Sequence, residues 1–373
     1  MKVVIVYDYL NQLGGGERVL KVLCDLFPFA PIYTIFYDEE RTGGIFAGRK
    51  IITSFLDFRL ARRRHHGFIP LMPLAIESLK LPAEYDLVIS AGASFAKGIR
   101  VPPGIPHLHY CFTPIRYIWE PHYIQTLFKL PLKPPPPFYW WDYRAAQKPD
   151  KMLAVSRFIA GKIKEYYGRD VEVLYPPCNN FKFASSEEAN LETPSYYLAV
   201  GRMLFYKHFD LIVRTFNQTG QRLKIVGRGR WENKIRRLIQ SSRIEWLGFV
   251  SDEKLAELYS GAKALIMPQT EDFGLVAVEA NACGLPVIAF KAGGALEIIQ
   301  EDQNGIFFEK QSPAGLIEAI GRFEKMRFEP ALVAETARRF TCQKFRDGLQ
   351  LQILSLINGY RNQRTTQSRV SDA

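Results

Sequence analysis

Cysteine is scarce in this 373-residue chain. Cys24, Cys111, Cys178, Cys283 and Cys342 are scattered, odd in number and form no C-x-x-C pair, which argues against a disulfide framework or a zinc site and fits a reducing cytosol. No stretch approaches the ~18 consecutive apolar residues of a spanning helix. The nearest, Phe68 to Ile76, is broken by Pro70 and Pro73. Met1-Lys2 and Val3–Val6 make too short an apolar run for a secretory signal and meet Asp8 at once, so they read as a first buried strand. No G-x-G-x-x-G occurs, which disfavours a NAD-dependent oxidoreductase. No D-x-D occurs either, so the usual carboxylate pair for holding a divalent metal on a diphosphate is missing and no metal is expected.

What is present is a chain with 47% hydrophobic and 23% charged residues, long enough for two globular domains, each with its own core. The net charge of +11 favours an anionic partner: nucleic acid, phospholipid headgroups or phosphorylated small molecules. The densest basic cluster is Arg59, Arg62, Arg63, Arg64, His65 and His66, followed by Phe68, Ile69, Leu71, Met72 and Leu74. Such a stretch suits a surface resting on anionic lipid, and equally a solvated basic loop leading into a core segment. Nucleic-acid binding would need basic residues interleaved with exposed aromatics along a groove, and no such stripe exists outside residues 59–64. That partner is not expected.

Short β-rich runs alternate with helical patterns most clearly in the second half. Strands are expected at Tyr196–Val200, Leu223–Val226, Ile244–Leu247, Ala264–Met267 and Val287–Phe290, with helices at Phe209–Phe216, Trp231–Gln240, Asp252–Ser260, Leu275–Ala282 and Leu296–Ile299. Such repetition argues for a parallel sheet covered on both faces. The first half repeats the theme with strands at Val3–Val6, Leu87–Ser90, His107–Tyr110 and Met152–Val155, and a helix from Glu17 to Leu26. The proline-rich run from Lys129 to Trp141 reads as an insertion that is neither regular helix nor central strand. The expected class is α/β: two facing Rossmann-like domains, 1–178 and 190–349, with a cleft at the carboxyl ends of their strands. A last helix, 350–361, should return to the first domain, and 362–373 should be a disordered tail.

The richest segment runs from Glu271 to Ala289. A strand ends at Pro268, a loop carries Glu271, and Gly274 lets backbone approach a ligand where a helix begins, offering N–H groups to a diphosphate. Glu279, about a turn and a half into that helix, is placed to take vicinal hydroxyls such as those of a ribose. Glu271 is placed to take sugar hydroxyls. Two carboxylates eight residues apart are also ordinary surface charges. After the strand Tyr196–Val200, Arg202 and Lys207 leave one loop and can converge on one anion, or stand as solvated cations. Gly227 and Arg228 follow the next strand in a tight turn that is structural or ligand-lining.

Together these segments resemble family 4 glycosyltransferases, from the glycine loop near residue 14 to the final helix near 360. Glu271-Asp272-Phe273-Gly274 through Glu279 and Cys283-Gly284 matches the E-x7-E signature, and Gly201-Arg202 through Lys207-His208 matches the G-R-x-x-x-x-K phrase. The resemblance implies the GT-B fold and retaining transfer from a nucleotide-diphosphate sugar. Arg202 and Lys207 would hold the pyrophosphate, Glu271 and the backbone of Phe273, Gly274 and Leu275 the sugar and phosphate, and Glu279 the ribose. Gly227 and Arg228 would line the base side, and Gly15 and Gly16 would close over donor phosphate and acceptor. The segment His107 to Trp119 resembles Y-C-H-T-P-M-R-Y-x-W of polysaccharide-building members, but Phe112 replaces the histidine that would touch the transferred sugar. Arg116 and Tyr117 remain as acceptor or phosphate contacts, and His109, on the opposite strand face from Phe112, is a weak acceptor-side substitute better read as a satisfied core histidine. The same resemblance suggests GDP-mannose as donor, with UDP-sugars close behind, and a saccharide or lipid-linked saccharide acceptor at the inner membrane surface of the cytoplasm. An epimerase or phosphorylase on the same fold, or a catalytically inactive regulatory homologue, are the competing readings.

Overall fold

The structure is a computed structural model that describes residues 1–120, 135–178, 184 and 195–371, with the backbone alone from 361. The chain divides into two compact units, Met1–Pro177 with Gln343–Ala373, and Cys178–Cys342.

The first unit is a parallel sheet in the order β3-β2-β1-β4-β5-β6-β7. Its strands are β1 (Val3–Tyr7), β2 (Ile32–Thr34), β3 (Ile51–Thr53), β4 (Leu87–Gly92), β5 (His107–Cys111), β6 (Lys151–Ala154) and β7 (Glu172–Val173). β1, β4 and β5 are buried along their whole length, as strands covered on both faces must be. Val4, Val6 and Val88 pack with Met72, Ile76 and Phe95 into one core layer. Asp8, just past β1, is buried and accepts backbone N–H bonds from Ala93, Phe95 and Ala96, each at 2.7 Å, tying the ends of β1 and β4 together.

Two expectations are corrected here. Residues 136–141 of the proline-rich run are helical, within Pro136–Gln147. Pro136 and Pro137 occupy the first turn, where the missing N–H groups would have no intrahelical partner anyway. The part of that run before Pro135 lies outside the described residues. The returning helix starts earlier, at Cys342, and continues to Ser371 where a disordered tail was expected. Phe345, Leu349, Ile353 and Leu356 form its buried stripe, and Phe345 meets the ring of Tyr110 at 5.7 Å.

The helix Pro136–Gln147 also delivers a buried carboxylate. Asp142 pairs with Lys97 Nζ at 2.6 Å, both fully buried, and accepts from Trp119 Nε1 and Tyr167 Oη at 2.7 Å each.

The second unit is a six-stranded parallel sheet in the order β10-β9-β8-β11-β12-β13. Its strands are β8 (Tyr196–Val200), β9 (Leu223–Val226), β10 (Ile244–Gly248), β11 (Ala262–Met267), β12 (Val287–Phe290) and β13 (Gly305–Phe308). Counted within the unit this is 3-2-1-4-5-6, the doubly wound Rossmann order, whose direction reverses between β8 and β11. The amphipathic helix Phe209–Thr219 lays Phe209, Ile212, Val213 and Phe216 on the sheet and ends at Gly220 in the left-handed conformation. Both units are therefore Rossmann-like. The helix expected over Trp231–Gln240 is shorter, Glu232–Arg236, and strands β2, β3, β7 and β13 were not anticipated.

Candidate functional site

In an open parallel sheet, ligands bind beyond the carboxyl ends of the strands where the order reverses. In the second unit that point lies between β8 and β11, and the loops leaving these strands carry the Arg-Lys and Glu-x7-Glu phrases. The loop after β8 closes with a short 3-10 turn, Phe205–Lys207, and His208 in the left-handed conformation starts the next helix. It is stitched to the loop after β9: Gly201 N donates to Val226 O at 3.0 Å and Met203 N to Arg228 O at 2.9 Å. Gly227, at φ 132°, permits that approach, since a Cβ there would sit 1.9 Å from Gly201 O. Arg228 is exposed on this rim.

Lys207 Nζ forms an ion pair with Glu271 Oε1, the two side chains only 14% and 13% exposed. Gln269 Nε2 donates to the same oxygen at 2.6 Å. The backbone of Glu271 is held by Gly294 N, which donates to its carbonyl at 2.8 Å. So a cation and a carboxylate 64 residues apart meet at the switch point, while Arg202 stands exposed on the same loop as Lys207. Gly274, at φ 109°, opens the helix Leu275–Ala282 with no side-chain cap. The side chain of Phe273 turns inward onto Phe340, leaving its backbone, Gly274 and Leu275 at the helix start. The first N–H groups of that helix form a ready anion site. Glu279, half-buried in the second turn, accepts from Tyr259 Oη at 3.3 Å. Burial and the neighbouring Glu279 hold the Tyr259 phenol well above its usual range, so it stays a donor.

Gln269 and Tyr259 escaped the sequence reading, because Gln269 meets Glu271 through the local turn of one loop and Tyr259 meets Glu279 between the helices on either side of β11, and neither contact is part of a motif. An open depression of about 800 Å3 in this unit is lined by Gln300, Asp302, Arg327, Leu332 and Glu335, none of them a motif residue. The chemistry is assigned from the converging side chains and not from that hollow.

In the first unit, the glycine loop starts the helix Gly15–Leu26. Gly15 is exposed, and Gly16 lies against Tyr7 Oη and the ring of Phe112. Tyr7 Oη donates to the buried Glu17 Oε1 at 3.1 Å. Phe112 is thus a half-exposed ring beside the glycine loop, edge-on to Tyr110. Arg116 begins a short helix, Arg116–Trp119, and Tyr117 Oη reaches Ser94 Oγ at 3.4 Å, so its hydroxyl points into the domain. His109 is corrected. It is buried, shares Ser90 Oγ with His107 at 2.8 and 2.7 Å, and burial drives its pKa well below the usual value. As a neutral core residue of β5, it presents nothing to an acceptor.

Comparison with known proteins agrees with the fold of both units. Residues 13–179 match the family model described as Glycosyltransferase Family 4, and residues 181–341 match Glycosyl transferases group 1. The chain belongs to the family 4-type glycosyltransferases of GT-B fold. This family 4-type chain is 31% identical over 186 residues to an uncharacterized glycosyltransferase of Methanocaldococcus jannaschii, covering 49% of this chain and 51% of that protein. It is 26% identical over 239 residues to a D-inositol 3-phosphate glycosyltransferase of Segniliparus rotundus, covering 56% and 53%. It spans about half the length of these curated relatives. Among solved structures, Anabaena HepE in complex with UDP aligns at a TM-score of 0.69 and 18% identity, covering 95% of this chain and all of that one. Sucrose-phosphate synthase of Thermosynechococcus elongatus aligns at 0.71 and 17%, covering 96% of this chain and all of that one. Both likenesses concern the fold.

Proposed function

We propose that the protein is a retaining glycosyltransferase that moves a hexose from a nucleotide-diphosphate sugar to a saccharide or lipid-linked saccharide in surface polysaccharide assembly, at the inner face of the membrane. The convergence of Lys207 and Glu271 at the β8/β11 switch point carries this reading. In the structure these two groups neutralise each other. An arriving diphosphate competes for Lys207, joins Arg202 and the N–H groups after Gly274, and releases the Glu271 carboxylate to accept hydrogen bonds from sugar hydroxyls. Glu279 takes the ribose. The bond between the anomeric carbon and the diphosphate oxygen breaks, the acceptor oxygen bonds to that carbon on the same face, and the acceptor proton passes to the departing phosphate oxygen. Fixed cations and N–H dipoles stabilise the charge that develops on the diphosphate. They do so without a metal.

GDP-mannose is the donor this reading favours, on the Thr113-Pro114-Ile115-Arg116-Tyr117 resemblance. A UDP-sugar is the second reading, favoured by like-folded proteins solved with UDP. A regulatory homologue without turnover is the third, and Phe112 beside the glycine loop is its support. A thermal-shift screen against GDP, UDP, ADP and their sugar conjugates, with and without EDTA, tests all three. Stabilisation by one nucleotide, indifferent to EDTA and lost in Lys207→Ala and Glu279→Ala, is the expected result. At a hundredfold excess over Kd a ligand contributes about 2.7 kcal/mol, a shift of several degrees for a domain of this size. No response to any nucleotide overturns the catalytic reading.

A further inference from the structure

The first unit carries an apolar and basic face that its own core leaves uncovered. Between β3 and β4 the chain forms a short helix, Arg59–Arg63, a 3-10 turn, His65–Leu71, and a second helix, Met72–Ser78. The core takes Ala61, Met72, Ala75 and Ile76 from these turns. What they leave outside is unusual for a solvated surface: Phe55 is 58% exposed, Phe58 41%, Leu60 53%, Leu71 42% and Leu74 60%. Arg59, Arg63, Arg64 and His66 are exposed among them, and residues 58–76 contain no Asp or Glu. The two flanking acids are already held, Asp57 by Arg62 at 2.5 Å and Glu77 by Arg100 and Lys148 at 2.9 Å each. Phe58 stands edge-on to Phe68 at 5.3 Å, so the face is built by packed turns and not by a loose loop.

We propose that this face docks on an anionic phospholipid surface, with Phe58, Leu60, Leu71 and Leu74 entering the interfacial layer and Arg59, Arg63 and Arg64 pairing with headgroup phosphates. Charge complementarity selects the partner: a cationic rim without acids around apolar side chains is matched by negative headgroups over hydrocarbon. The face is also tied to the ligand end of the sheet. Asn11 Nδ2, in the loop after β1, donates to Arg62 O at 2.9 Å, and Tyr9 packs on His65 with ring centres 5.1 Å apart. That loop runs into Gly14–Gly16, so docking holds the glycine loop next to the headgroup layer, where a lipid-linked acceptor would present its sugar. The inference rests on the acceptor reading for its purpose and on the residues above for its existence. The two fail separately, because vesicle binding needs no donor and transfer to a water-soluble acceptor needs no vesicle.

Co-sedimentation of the full chain with vesicles of phosphatidylcholine alone, or mixed with phosphatidylglycerol, tests it. Binding is expected only with the anionic lipid, weakening as salt is raised. Replacing Arg59, Arg63 and Arg64 together by Glu should weaken it by at least about a hundredfold, since removal of the three positive charges alone costs about fivefold each. Leu60→Ser/Leu71→Ser/Leu74→Ser should weaken it by about tenfold or more while sparing the salt dependence. Each substituted side chain is exposed, and unchanged circular dichroism and melting in solution verify that the variants fold. Lys234→Glu/Arg236→Glu/Arg237→Glu, the same charge change in the second unit, should leave binding intact. Failure of the wild type to bind anionic vesicles, or equal loss in this control, overturns the proposal. So does a concentration-dependent dimer without lipid that the leucine variant abolishes, since the face would then belong to a second copy.

Discussion

Replacing Glu271 by Gln should tighten the grip on a bare nucleoside diphosphate while slowing transfer. Lys207 rests on the Glu271 carboxylate, so a diphosphate has to displace that carboxylate before it gains the lysine. A well-formed, largely buried pair is worth on the order of 1 kcal/mol net of desolvation, and losing this competitor should improve nucleotide affinity by about fivefold. Lys207→Ala acts in the opposite direction. It forfeits a charge-assisted contact of about 1.5–3 kcal/mol, which weakens the nucleotide by roughly ten- to a hundredfold. Isothermal titration of GDP and UDP into the wild type, both single variants and the double variant separates the effects in one cycle. In Glu271→Gln, turnover of the full donor should fall by about a hundredfold, because the sugar contact is lost. If Glu271→Gln weakens the bare nucleotide as strongly as Lys207→Ala does, the two groups do not compete and the proposed exchange is wrong.

Three further outcomes follow from the packing. Burial lowers His65 and His107 to about 3 and His109 well below its usual value, so all three are neutral in the fold while the unfolded chain protonates them near pH 6.5. Their stabilising contribution is complete above that pH and is lost as pH falls toward 3, by about 1.4 kcal/mol per histidine per pH unit. Chemical denaturation across pH 5 to 8 should show this slope in the first unit, reduced in His107→Gln. Gly227→Ala should cost the second unit about 3 kcal/mol or prevent its folding, since both φ and the contact with Gly201 O are violated, and a melting curve reads it. Lys97→Met should destabilise the first unit by about 3–5 kcal/mol by stranding Asp142, and Lys97→Met/Asp142→Leu should recover most of the loss.

Much of the fold was legible because its central strands are covered on both faces and read as unbroken apolar runs. Tyr196–Val200, Leu223–Val226 and Val287–Phe290 end where the residue pattern ends. The shorter strands gave no such signal: β3 and β7 are edge strands of three and two residues. Prolines hid the helix Pro136–Gln147, since their use in a first turn looks the same in sequence as their use in a loop. The motif loops identified the ends of β8 and β11 as the place to look, yet the partners within the site were hidden. Gln269 on Glu271 depends on how one loop turns back on itself, and Tyr259 on Glu279 on how the helices before and after β11 pack, information that residue pattern does not carry. His109 illustrates the two readings that a residue near a motif allows. Its neighbourhood in the chain suggested a ligand, while its place on β5, one pleat from His107 and facing Ser90, made it part of the interior.

The helix Cys342–Ser371 gives the first unit a history different from the second. Residues 178–342 form a closed set that can be complete as soon as they have been synthesised. The opening 177 residues cannot be: Phe345, Leu349, Ile353 and Leu356 belong to their core and are made last. The half of the protein that is born first is therefore finished after the second, and it stays open along β5, where Tyr110 waits for its ring partner, until the closing helix has left the ribosome.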